Sequence, residues 1–275
     1  MDNLIFTYSA IVLYLACSAL LYFRLRQAND VSTEKTGRLS KKQTLMLGLA
    51  ALFLHSMALY TNILDPKGID LGFYNAISLV SAFITLLTLV AVWRYPVDIL
   101  AVVLLPVTAL AMLSDSVFSS SGHIITPGSS GALVFHILSS IIAYSILALA
   151  AMQAILLSIQ SKFLHAHQPG GVIRMMPPLK NMEVLLFEVI LVGFIALSVS
   201  LGSGLLFLEN MFAQQVAHKT VLSILAWFVF LILLIGHWKL GWRGRTAIRW
   251  TLTGFVSLML AYFGSKFVLE IILVR

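Results

Sequence analysis

Apolar runs of about 20 residues recur along the whole chain, the length an α-helix needs to cross a bilayer. Eight can be drawn, at roughly 4–23, 44–64, 72–93, 98–113, 132–158, 183–208, 220–238 and 250–271. Backbone groups inside hydrocarbon must pair within their own segment, so runs of this kind fold as helices. Hydrophobic residues make up 60% of the 275 positions and charged residues 11%, against a usual charged share of about 25%. That composition excludes a soluble reading. The expected fold class is all-α: one polytopic membrane helix bundle spanning 1–275. The fourth run is short and holds Pro106, which predicts a kink or tilt. The first run lacks a basic start, and its basic residues follow it, so it is expected to be a span and not a cleaved signal.

Basic residues set the expected orientation. Arg24, Arg26, Lys35, Arg38, Lys41 and Lys42 lie between the first two runs, and Arg94 follows the third. Lys162, Arg174 and Lys180 follow the fifth, and Lys239, Arg243, Arg245 and Arg249 lie between the last two. These are alternate loops, hence one side, and the positive-inside rule makes it cytoplasmic. The other side has Lys67, Lys219, Lys266 and Arg275. Both termini are then expected outside. The net charge of +7 is explained by this asymmetry, and no nucleic-acid partner is expected.

Chemistry-bearing residues are few. Cys17 is the single cysteine, so the chain has neither an internal disulfide nor a CxxCH site for covalent haem. Loop 114–131 is Ser- and Gly-rich and carries His123, and its composition predicts an irregular loop. His165 and His167 form an isolated HxH in loop 159–182, a pattern that rarely holds a metal. Glu183 and Glu188 start the sixth run close enough to the inner surface to reach water, so no proton-relay role is expected of them. Asp98 reads as a helix N-terminal residue. No nucleophile–base pair, metal-protease helix or phosphate loop is present, and no enzyme activity is expected.

Four histidines remain, at two levels. His136 and His218 fall near the outer face, and His55 and His237 fall within the membrane. Imidazoles on separate helices can hold a haem iron from one or both sides. The aromatics Trp227, Phe228, Phe230 and Trp238 around His237 could accept the porphyrin. Each histidine could equally donate a hydrogen bond to a neighbouring helix. The loop GWRGR, Gly241–Arg245, has glycines for a tight turn. Its Arg243 and Arg245 suit either lipid phosphates or a ligand's carboxylates.

The segment KTVLSILAWFVFLILLIGHWKLGWRGRTAIRW, followed by GFVSLMLAYFG, resembles the final helix pair of the CcsA/CcmC/CcmF cytochrome c assembly superfamily. VFHILSSIIAYSILALA and LHSMALY followed by GFYNAISLVSAF are similar to further parts of it. The resemblance covers most of the chain. Within the superfamily it is to the shorter HemX-like and YpjD-like inner-membrane proteins, the YpjD-like ones most of all. It implies non-covalent b-type haem. His237 matches the family's membrane histidine, His136 its first outer histidine, and His55 the histidine of the second helix. The chain departs from the family where a tryptophan-rich WWD segment should precede the seventh helix, since ENMFAQQVAHKTVLS has no tryptophan. It also has GSKFVLEIILVR where a second outer histidine should follow YFG. His218 is a weaker substitute there. The implied function is a haem-handling accessory to cytochrome c assembly, with haem, lipid and cytochrome c assembly or haem-synthesis proteins as partners. A HemX-like regulator of haem synthesis and a cofactor-free transporter stand as alternatives.

Overall fold

The computed structural model describes residues 2–29, 40–65, 68–118, 124–125, 131–166, 175–207 and 217–264. Eight α-helices are present among them: α1 Asp2–Asn29, α2 Lys41–Ile63, α3 Phe73–Arg94, α4 Asp98–Val117, α5 Gly131–His165, α6 Leu179–Phe207, α7 Ala217–Leu240 and α8 Gly244–Met259. Each coincides with one of the eight apolar runs. Seven, α1 to α7, are long and apolar enough to cross a membrane. The eighth is a 16-residue α-helix continued by a π-helical turn, Leu260–Gly264. Residues 265–271 of the eighth run lie outside the described residues, as do His123 and His167.

The chain divides into two compact units, Met1–Ile125 with Phe163–Pro177, and Thr126–Lys162 with Pro178–Arg275. In the first, α1 packs against α2 and α4, and α3 packs against the same two helices, giving a ring of four. Ser40 caps α2 by accepting from the Gln43 N–H at 3.2 Å, and the Gln43 side chain accepts from the Ser40 N–H at 2.8 Å. Lys41 sits 3.3 Å from the Asp98 carboxylate, tying the first turn of α2 to the first turn of α4. Asp98 therefore stands at a helix N-terminus, as its position in the sequence suggests, where the helix dipole favours its charge.

Pro106 lies inside α4 without ending it. A proline at that position leaves the carbonyl four residues earlier, Val102, without its intrahelical donor. The Ser18 hydroxyl of α1 donates to that carbonyl at 2.8 Å. Side-chain hydroxyls commonly restore such freed groups within membranes.

The bundle is all-α as expected, with one small sheet at its edge. Short strands β1 Leu64–Asp65, β2 Gly68–Asp70 and β3 Ile124–Ile125 pair antiparallel in that order. The sheet crosses the end of the first unit where α1 begins. Part of loop 114–131 is thus extended and hydrogen-bonded, because Ile124 and Ile125 pair with Asp70 and Ile69.

In the second unit α6 packs on α7, and α7 on α8. Side chains of α5 reach α6 and α8. Gln153 donates to the Met182 carbonyl at 3.2 Å. Tyr144 packs against Phe255, and against Tyr262 and Phe263 of the π turn.

Candidate functional site

The sequence GHWKLGWRG, Gly236–Gly244, ends α7, reverses the chain and starts α8. Gly241 has φ +67°, the left-handed conformation that terminates helices and that glycine adopts without a Cβ penalty. Gly244 repeats it at φ +53°. Between them Trp242 folds back onto α7. Its N–H donates to the Gly236 carbonyl at 3.1 Å. Its indole occupies the space a side chain at position 236 would need, since a Cβ there would lie 2.3 Å from the ring. Its carbonyl accepts from His237 Nδ1–H at 2.9 Å. A carbonyl cannot donate, so the bond fixes the proton of a neutral His237 on Nδ1 and leaves Nε2 with the lone pair. Metal-bound histidines are usually held by such a bond, the other ring N–H donating to a carbonyl or carboxylate.

Helix α6 completes the site. Phe187 stacks on the His237 ring with centroids 3.5 Å apart and planes 14° apart. Glu183, one turn earlier, accepts from the Gly244 N–H at 2.9 Å and so holds the start of α8. These groups line a cleft of about 300 Å³ together with Lys180, Glu188, Trp238 and Arg243. Its volume is at the low end for small-molecule sites, which run about 300–1,000 Å³. Its apolar wall is Val184, Phe187, Leu191 and Leu234, and its rim carries charges of both signs.

Of the expected site residues, His237, Trp238 and Arg243 come together here. Arg245 is exposed and does not line the cleft. The other aromatics named around His237 go elsewhere. Trp227 donates to Ser198 at 2.8 Å, Phe230 is fully buried, and Phe228 is exposed. Phe187 is not singled out in the sequence, and Glu183 and Lys180 are read there only as charges near the inner surface. Their spacing with Leu191, at 180, 183, 187 and 191, traces one face of a helix. That stripe was a usable signal, but nothing in it names the facing helix.

His136 repeats the His237 pattern at the far end of α6. Its Nδ1–H donates to the Ser200 carbonyl at 3.0 Å, with the Ser203 hydroxyl at 3.2 Å. Ser140 bonds both the His136 carbonyl and the Ser200 hydroxyl. Ser200 and Phe187 are 13 positions apart on α6, so the two histidines sit at levels roughly 20 Å apart. His55 belongs to the first unit and is 0% exposed. Both its nitrogens are engaged, Nδ1 with the Tyr14 hydroxyl at 3.2 Å and Nε2 with the Ser78 hydroxyl at 3.1 Å. His218 lies in the first turn of α7, and its side chain is outside the described residues.

Seven helices long and apolar enough to cross a membrane make this a multi-pass membrane protein. The cytochrome c assembly protein family matches residues 43–273, and the chain belongs to that family. It is 32% identical over 283 aligned residues to the inner membrane protein YpjD of Escherichia coli K12, covering 98% of this chain and 99% of that one. The same figures hold for the inner membrane protein YpjD of Escherichia coli O157:H7. An uncharacterized 28.8 kDa protein in the nifR3-like 5′ region of Azospirillum brasilense is 30% identical over 184 residues, 66% of each chain. No solved structure matches.

Proposed function

We propose that the chain binds and handles non-covalent haem as an accessory, without bond-making chemistry of its own. The observation that carries the reading is the Nδ1–H bond from His237 to the Trp242 carbonyl, which leaves Nε2 free for iron. The donor set fits the group. A neutral imidazole suits the iron, Phe187, Leu191, Leu234 and Trp238 suit an apolar disc, and Arg243 and Lys180 suit its carboxylates. Bound haem would supply a redox-active iron. His136, whose Nε2 is likewise the lone-pair nitrogen, is a second holding point toward the other face. His55 could ligate only by giving up Tyr14 or Ser78, so it is placed behind these two. Haem and cytochrome c assembly or haem-synthesis proteins are the proposed partners. The proposed orientation puts the Arg243 loop in the cytoplasm and the N-terminus outside.

Haemin titrated into the purified full chain in mild detergent tests this. The expected result is a saturable Soret band. Arg243→Ala should weaken the affinity several-fold without moving the band, because Arg243 meets carboxylates and not iron. Haemin that stays unbound, or partitions without saturation, would rule the reading out.

A further inference from the structure

The cleft beside His237 has a mouth as well as a floor. Phe187 and Leu234 are buried at the floor, whereas Lys180, Val184, Glu188, Trp238 and Arg243 are exposed. Val184 is 51% exposed and Trp238 63%. Exposed apolar surface continues from them along both helices, through Val192 and Ile195 on α6 and through Ile232 and Ile235 on α7. Both helices are long and apolar enough to cross a membrane, so this surface meets lipid chains and the mouth opens sideways into the bilayer. The charges stand at the end of the spans. Lys180 is in the first turn of α6, Arg243 directly precedes α8, and the Glu183 bond to the Gly244 N–H ties those two helix starts together. Headgroups lie at that level of a bilayer, and tryptophans such as Trp238 favour it.

We propose that the cleft seats the headgroup of an aminophospholipid, a phosphate diester that carries a primary ammonium. Two cations, Lys180 and Arg243, and two carboxylates, Glu183 and Glu188, line it. A purely anionic headgroup gains from the first pair and loses to the second, whereas a headgroup with both signs gains from each. Lys180 and Arg243 hold the phosphate. Arg243 makes no side-chain cap to α8, so that role costs the helix start nothing. Glu183 uses Oε1 for the Gly244 N–H, and its second oxygen accepts from the ammonium. A volume of about 300 Å³ suits a headgroup and leaves the acyl chains outside, along Val184, Val192 and Ile195. The proposal does not rest on the haem reading, although haem and lipid draw on the same Lys180 and Arg243 and so exclude each other.

The test offers the full chain, in mild detergent, equal amounts of phosphatidylethanolamine, phosphatidylcholine and phosphatidylglycerol with identical chains. Native mass spectrometry counts the lipid that stays bound. Phosphatidylethanolamine should be retained about tenfold over phosphatidylcholine, whose quaternary ammonium has no N–H, and over phosphatidylglycerol, which has no cation. Glu183→Gln should erase the preference over phosphatidylcholine. It keeps an acceptor for the Gly244 N–H, so the start of α8 is preserved. Lys180→Gln with Arg243→Gln should lower retention of all three lipids by about tenfold. Lys42→Gln with Arg94→Gln removes the same charge from the first unit and should leave retention unchanged. Phosphoethanolamine without chains, at the same concentration, should not displace the lipid. Equal retention of the three lipids, a preference for phosphatidylglycerol, or a preference that survives Glu183→Gln overturns the site. So does an equal loss in the two charge-removed pairs, and displacement by phosphoethanolamine overturns lipid as the ligand. No haem enters these measurements, so this site and the haem reading can fail separately.

Discussion

At the scale of single residues, the turn after α7 explains why its letters are what they are. Gly236 makes room for the Trp242 indole, Gly241 and Gly244 take left-handed backbone, and the Trp242 carbonyl orients His237. Gly236→Ala would put a methyl 2.3 Å from the body of the indole, which cannot give way like a flexible chain end. The expected loss is about 1–3 kcal/mol, read from thermal or denaturant unfolding in detergent, with the His237 site disturbed as well. Loss within experimental error would mean that Trp242 has another place to go. Much of this was legible beforehand. The glycines announced a tight turn and the histidine a costly polar group at depth. The stacking of Phe187 and the grip of Glu183 on Gly244 were not. Both depend on which helix faces α7, and hydropathy carries no information about helix order.

Helices and their joints show the same division. All eight were readable as apolar runs, but their ends were not. The charged first turn of α2 and the last turns of α5 lie beyond the apolar stretch and are helical through capping and local propensity. A 35-residue α5 is about 52 Å long, well beyond the roughly 30 Å of bilayer hydrocarbon. Pro106 suggested a weak point, and the structure shows what α1 contributes there. Ser18→Ala would leave the Val102 carbonyl without a donor, at an expected cost of about 1 kcal/mol. Pairing the change with Pro106→Ala, which restores the helical donor, should abolish that cost, and unfolding of the single and double variants measures it. The three-stranded sheet was not legible because strands of two or three residues have no period to read.

For the molecule as a whole, the proposed orientation follows from the asymmetry of the basic residues and is open to a direct test. Reporter fusions after residue 29 and after Leu240 should report the cytoplasm, and fusions before α1 and after Ile63 the opposite side. A reversed pattern would place Arg243 and Lys180 outside and change which compartment the cleft serves. The proposed haem binding turns on His237. The most direct measurement is the visible spectrum, oxidised and reduced, of the full chain purified from haem-replete cells beside His237→Ala and His55→Ala. The expected result is a haem band that weakens or shifts in His237→Ala and survives in His55→Ala, whose ring is already committed to Tyr14 and Ser78. A band indifferent to His237, or no band even after haem is added, would contradict it.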